Sequence, residues 1–451
     1  MRVRPLLLPA LLVAVGCGSG SDSPFGPSAG DTGGRSRPAP VGGGTRAELP
    51  AIGAAPTPTP ASKDGGRRVA KGSNAFGHDL YGHLRSTPGN LALSPASLSL
   101  GLLLPGAGAK GETLAAFQKV LHLDGPPAAL LPAWGELVKA LEDPSRPVTL
   151  HVANRLFGEK SYTFEPAFLE ATRAAFGAAL EPVDFKEAHE EARATINAWV
   201  EERTEHRIRA LVPPGGVSQD TRLVLANALY FLGRWKQVFE AAATRPEPFH
   251  PRPGESHAVA TMHETGSFPF VARDGLRALE LPYEGGSLSM LLVLPDAVDG
   301  LPAVEDFVGT IGVEGLVATL SPTRTAVSLP KFEVNPGGSL SLADVLKPMG
   351  LAVAFDRSAA DFTGIANPPD PTDRLALDQV FHKAFVRVDE AGTEAAAATA
   401  AAMVRVASAP APPEAEFKAD HPFLFFLRDV ASGLVLFMGR ISDPVAPEVA
   451  S

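Results

Sequence analysis

An α+β fold gathered into one large domain is what this sequence predicts, on three observations. Segments with apolar residues at three-to-four spacing dominate the first half of the patterned chain, and short apolar runs bounded by turn residues dominate the second. No second Pro/Gly/Ser-rich linker interrupts residues 74–444, so helices come first and mostly antiparallel strands follow in a single unit. At 451 residues the chain can bury a large core unaided, and its single cysteine leaves no intrachain disulfide and no Cys-rich metal site. The net charge of −10 argues against binding a phosphate backbone, which draws on clustered Lys and Arg.

Taken from the N-terminus, residues 1–17 have the order of a secretory signal: basic Met1 to Arg4, apolar Leu6 to Val15, then the small pair Gly16-Cys17. A thiol directly after Ala14-Val15-Gly16 resembles the bacterial lipoprotein signal. That resemblance implies acylation of Cys17 and anchoring by two or three chains, which hold where one would not. Of the 49 residues from Gly18 to Gly66, 26 are Gly, Pro or Ser, the composition of a tether whose reach is roughly 40 Å. The tether contains Gly26-Pro27-Ser28-Ala29-Gly30, but a nucleophile elbow needs a strand before it and a helix after it, so this match is set aside. The domain is expected over 67–445, followed by a short tail, 446–451.

Within the domain, helical spacing marks Asn74–Leu84, Pro95–Leu103, Gly111–Leu121, Pro132–Leu141, Glu165–Phe176 and Glu187–Arg207. His151–Phe157 and Leu223–Phe231 read as early strands. Strands are then expected at Leu276–Leu281, Leu288–Leu294, Thr325–Leu329, Val380–Val388, Phe423–Leu427 and Leu434–Ile441, with a helix at Ser341–Pro348. The eleven histidines are scattered and read as surface residues, and no metal or cofactor is implied.

The segment from Val388 to Glu414 departs from this pattern. Residues 395–402 are seven Ala and one Thr, which on propensity alone allow an Ala-rich helix or spacer. Such a helix has no apolar face to hold it down. Small side chains instead make a strip of backbone that can slide between existing strands, and Val404-Arg405-Val406-Ala407-Ser408 falls in an exposed, Pro-ended loop of a length usually reserved for function.

Gly392-Thr393-Glu394-Ala395-Ala396-Ala397-Ala398-Thr399 resembles the hinge of the serpin reactive-centre loop. The likeness continues in serpin order through Asn90-Leu-Ala-Leu-Ser-Pro-Ala-Ser97, Ile196-Asn-Ala-Trp-Val200 and Leu225 to Trp235. It carries on through Leu329-Pro-Lys-Phe332, Ala360-Asp-Phe-Thr-Gly364, His382-Lys383-Ala384, His421-Pro-Phe-Leu-Phe-Phe426 and Gly439-Arg440. It covers about residues 70 to 444.

This resemblance implies a serpin domain with an exposed reactive-centre loop at about 390–416. It implies a monomeric suicide inhibitor of a serine protease, or of a cysteine protease, and not an enzyme. The hinge would comprise Glu390, Gly392, Thr393, Glu394, Ala395, Ala396, Ala397, Ala398 and Thr399. Thr393, Ala395, Ala397, Thr399, Ala401 and Met403 would face the core by the strand period of two. Ser94, Ser97, Asn227 and His382 would form the shutter beneath the separating strands, although a satisfied buried network would look the same. Trp235 would lie in the breach, where the loop enters. Counting fifteen residues from Gly392 puts the scissile bond at Val406–Ala407, which suits an elastase-like protease. A loop one residue shorter puts it at Arg405–Val406, which suits a trypsin-like one, and Ser408 is reached by counting back from His421. A serpin-fold binding or structural protein with a merely cleavable loop is the competing reading. Between Leu123 and Ser145 the only basic residue is Lys139, so no basic activating helix is expected. The protein is expected outside the cytoplasm, held to the envelope through Cys17.

Overall fold

The computed structural model describes residues 60–177, 180–273, 275–335, 338–393 and 412–444. Thr57 to Ser451 form one unit. The helices are α1 (Pro60–Leu84), α2 (Pro95–Ala107), α3 (Gly111–Val120), α4 (Pro127–Leu141), α5 (Pro166–Phe176), α6 (Phe185–Arg203), α7 (Leu301–Val317) and the single turn α8 (Ala343–Leu346). The early strands are β1 (Leu91–Leu93), β2 (Val148–Glu159), β3 (Leu180–Val183), β4 (Leu223–Arg234), β5 (Arg245–Phe249) and β6 (His257–Arg273). After them come β7 (Leu276–Pro282), β8 (Leu288–Pro295), β9 (Ser321–Pro330), β10 (Phe332–Val334) and β11 (Leu340–Ser341). The last are β12 (Gln379–Ala384), β13 (Val386–Val388), β14 (Gly392–Thr393), β15 (Ala415–Lys418), β16 (Phe423–Asp429) and β17 (Val435–Ile441).

These strands make two sheets. One runs β1-β17-β16-β8-β7-β6-β9-β15, with β5 beside β6. The other runs β10-β13-β14-β4-β12-β11, with β2 on the far side of β4 and β3 beyond it. Pairing is antiparallel except for β2 with β3, β12 with β4 and β15 with β9 among the described residues. The α+β class read from the sequence is therefore what the chain adopts. β4 sits at the centre of the second sheet and is buried on both faces from Leu223 to Phe231, which is why it reads as a continuous apolar run.

Local chemistry accounts for the helix starts that matter here. Ser94 caps α2 by accepting the Ser97 amide at 3.1 Å, and Pro95 occupies the first turn, where a missing N–H does no harm. Asp184 caps α6 by accepting from Glu187 N at 2.9 Å. The buried Glu159 carboxylate takes the Phe185 and Lys186 amides at 2.8 and 3.2 Å at the same helix end. From there α6 lies along the second sheet, burying Phe185, Ile196 and Val200 with Phe157, Ala226, Ala228, Phe381 and Phe385.

The structure corrects several expectations. α1 starts at Pro60, inside the stretch read as tether, because Val69, Ala70, Phe76 and Leu80 already form a buried stripe. The helix expected over 341–348 is one turn only. Beyond it the chain widens into a π-type stretch over Lys347–Leu351, where Gly350 takes a φ of 118°. The helix expected to reach Arg207 ends at Arg203, with Glu205 and His206 both at positive φ. α7 and the long β6 carried no recognised signal: α7 is kinked at Gly312, and β6 alternates too many polar residues. The strand expected over 380–388 divides at Phe385 into β12 and β13. That division positions the site.

Candidate functional site

β12 runs parallel to β4 from Gln379↔Val224 to Ala384↔Leu229. At Phe385 the chain leaves that partner, and β13 pairs with β10 on one side and with Thr393 on the other. Into the fork comes β14, with Gly392 opposite Arg234 and Thr393 opposite Gly233. The uncleaved chain thus already holds the first two residues of its small-residue strip as a strand in the sheet.

The turn that delivers them is tied at every residue. The Asp389 carboxylate accepts the Ala391 and Gly392 amides at 2.9 and 3.3 Å, and the Asp389 amide donates to Gly392 O at 2.9 Å. Burial pushes the Asp389 carboxyl above its ordinary range despite those amides. The Glu390 carboxylate accepts from Lys331 Nζ at 2.9 Å and from Thr244 Oγ1 at 2.8 Å. Burial alone would raise the Glu390 carboxyl, but Lys331, a backbone amide and Thr244 together outweigh it and hold it low. Trp235 reads the turn twice, its amide donating to Ala391 O at 2.9 Å and its indole Nε1 to Asp389 O at 3.0 Å. Gly392 is required by close approach, since a Cβ there would lie 2.0 Å from the Gly233 carbonyl oxygen. Thr393 is 2% exposed and points inward, its Oγ1 lying 2.6 Å from the Tyr283 hydroxyl. Beside Thr393, Phe231, Met290, Phe385, Val386 and Phe425 line an apolar crevice too narrow to hold a water molecule.

Ser94, Ser97, Asn227 and His382 are brought together below the fork, all but sealed from solvent. Ser94 N donates to His382 Nε2 at 3.1 Å, so that nitrogen is bare. The imidazole proton therefore sits on Nδ1 and donates to Asn227 Oδ1 at 2.6 Å. Asn227 Nδ2 donates to Ser97 O at 2.6 Å and to Asn154 Oδ1, and Asn154 Nδ2 donates to Ser97 O at 3.0 Å. The network links β2, β4 and β12 to the start of α2, and sliding β4 away from β12 would break the His382–Asn227 bond. Asn154 was not singled out from sequence. Its signal was an amide inside an apolar strand, directly opposite Asn227 in the ladder.

Burial holds His382 neutral, pushing its pKa from 6.5 down to about 3. The unfolded chain protonates this ring below 6.5 and the folded chain does not until about 3, so between those values the unfolded state binds more protons. Stability contributed by the neutral ring is complete above 6.5 and falls as pH drops through that window. The slope is up to about 1.4 kcal/mol per pH unit. Denaturant unfolding from about pH 7 to about pH 4 should show this loss, and the His382→Asn variant should lose roughly one proton's worth less. Parallel profiles would contradict the assignment.

Trp235, Glu390, Gly392 and Thr393 are brought together at the turn that leads into β14. Glu394, Ala395, Ala396, Ala397, Ala398 and Thr399, the scissile candidates Arg405, Val406, Ala407 and Ser408, and Cys17 lie outside the described residues. Lys331, Thr244 and Tyr283 are the partners sequence reasoning missed. Each acts through a non-local contact that no spacing in the sequence encodes.

Comparison with known proteins bears on the family and the fold. The profile of the family described as Serpin (serine protease inhibitor) matches residues 71–444. An uncharacterized serpin-like protein of Thermococcus kodakarensis is 38% identical over 377 residues, covering 83% of this chain and 86% of that one. The leukocyte elastase inhibitor of Bos taurus is 39% identical over 390 residues, covering 84% of this chain and all of that one. The crystal structure of Serpin48 from the insect Tenebrio molitor superposes with a TM-score of 0.74 at 31% identity, covering 84% of this chain and 99% of that one.

Proposed function

The chain belongs to the serpin family, and from that premise we propose that it is a suicide inhibitor of a serine protease that works by inserting its cleaved loop as a strand. The protease serine oxygen attacks the carbonyl carbon of Val406. The bond to the Ala407 nitrogen breaks, Ala407 leaves as an amine carrying the transferred proton, and an ester joins the protease to Val406. Before water hydrolyses that ester, residues from Glu394 onward follow Thr393 into the fork between β13 and β4 and carry the protease away. Inhibition is a race between insertion and hydrolysis.

One observation carries this reading: Gly392 and Thr393 are already paired as a strand between β13 and β4, with apolar side chains around Thr393. The next inward residue is Ala395, whose methyl group asks for little room as the strands separate. Val406 before the cut favours an elastase-like target, in keeping with the name of the bovine relative, and Arg405 before the cut favours a trypsin-like one. We further propose that Cys17 is acylated and that residues 18–59 hold the domain off an envelope surface, outside the cytoplasm. Among the described residues no helix is long and apolar enough to cross a membrane.

The test is to incubate the protein with an elastase-like and a trypsin-like protease and look for a complex that survives boiling in detergent. Mass spectrometry of the released C-terminal peptide identifies the bond cut. We expect a 1:1 covalent complex with cleavage after Val406 or Arg405. Clean cleavage with both proteases left fully active would instead favour a serpin-fold protein whose loop is only a substrate.

A further inference from the structure

Tyr283 closes β7 at the turn into β8, and its side chain is wholly buried under the point where β14 enters the sheet. Its ring is held from two directions. Trp235 stacks on it at 4.5 Å and 23°, and Phe231 meets it edge-on at 5.0 Å and 85°. With the ring fixed, the hydroxyl can address one place, and the atom found there is Thr393 Oγ1 at 2.6 Å. Thr393 is the hydroxyl's one hydrogen-bond partner among the described residues. Phe385, Met290 and Phe425 line the adjoining gap and offer no polar substitute. Withdrawing the hinge would therefore strand a buried phenol, which is unfavourable in apolar surroundings.

We propose that Tyr283 is a positioning residue for loop insertion: its hydroxyl latches Thr393 in the sheet of the uncleaved chain. The hinge then waits as the first rung of the strand still to come. Ordering those two residues is part of the nucleation barrier, and the latch has already met it. Cleavage needs only to extend an existing pairing. This deepens the suicide-inhibitor reading and rests on it for its consequence, though not for the latch itself.

The decisive variant is Tyr283→Phe, which keeps the ring, the stack and the edge contact and removes one oxygen. In the full chain, amide hydrogen exchange at residues 390–393 is expected to speed up about tenfold, the change one neutral hydrogen bond carries. Exchange in β7 and β8 should stay as it was. An unchanged hinge, or equal acceleration in β7 and β8, overturns the latch, because mere loosening of the core would move both. Thr393→Val removes the other hydroxyl and should match Tyr283→Phe, while the double variant should go no further. Additive effects would overturn the pairing. Against a protease that the unaltered protein traps, Tyr283→Phe should raise the number of inhibitor molecules consumed per trapped enzyme several-fold with cleavage rate unchanged. An unchanged ratio would overturn the role in insertion. If the unaltered protein traps no protease, the suicide-inhibitor reading and that role in insertion fail together, while the exchange result still decides the latch.

Discussion

A single cut between residues 404 and 408 is expected to raise the thermal unfolding midpoint by at least about 10 °C, the shift that several kcal/mol brings at a few degrees each. Cutting a chain ordinarily destabilises it, so the sign alone is diagnostic. The rise follows from the fork at Phe385. Below it β12 pairs directly with β4, and above it, among the described residues, Gly392 and Thr393 alone stand between β13 and β4. Freed at one end, the strip after Thr393 can enter as β13 and β4 separate, forming ladder bonds on both sides and burying its alanines. Scanning calorimetry before and after limited proteolysis, with the cut mapped by mass spectrometry, measures it. An unchanged midpoint would mean that the intact molecule already occupies its lowest state and that no insertion follows cleavage.

Replacing Thr393 by Arg should convert an inhibitor into a substrate. Thr393 is 2% exposed, faces Tyr283, and borders a gap walled by Phe231 and Phe385. An uncompensated charge in such a place costs about 3–5 kcal/mol, which corresponds to roughly two to four orders of magnitude in the rate of insertion. Hydrolysis of the ester, which depends on the protease, should be untouched. The variant should be cleaved at the same bond as the unaltered protein, release active protease, and show no thermal gain after the cut. Detergent-stable complex formed at the normal rate would overturn the assignment of Thr393 as the first inserted residue.

The residues of the site differ in how far sequence revealed them. Thr393 and Gly392 were legible because a run of small residues with no apolar face follows a strand, and because their order relative to the other motifs resembles a known family. Ser94, Ser97, Asn227 and His382 were legible through the family resemblance alone, and the reading of the histidines as surface residues fails at His382 and His421, which are buried. Completion of that network by Asn154 was not legible, because Asn154 meets Asn227 only through the register of β2 on β4. Tyr283 sits in a turn-rich stretch, Leu281-Pro-Tyr-Glu-Gly-Gly286, that reads as a connection between strands. It becomes a receptor for the hinge only when Trp235 and Phe231 fix its ring. Likewise Lys331 was visible within a motif but not as the partner of Glu390.

Fold class, most of the helices and strands, and the existence of a small-residue strip were settled by side-chain size and spacing along the chain, quantities that any window of sequence contains. The break of one apolar run into β12 and β13, the docking of Gly392 and Thr393 between distant strands, and the hydroxyl pair that holds them were decided only by the tertiary structure. The reason is that a β-strand's partners and register lie far off in the sequence, and a buried hydrogen bond exists only once both of its ends have been brought out of water to the same place.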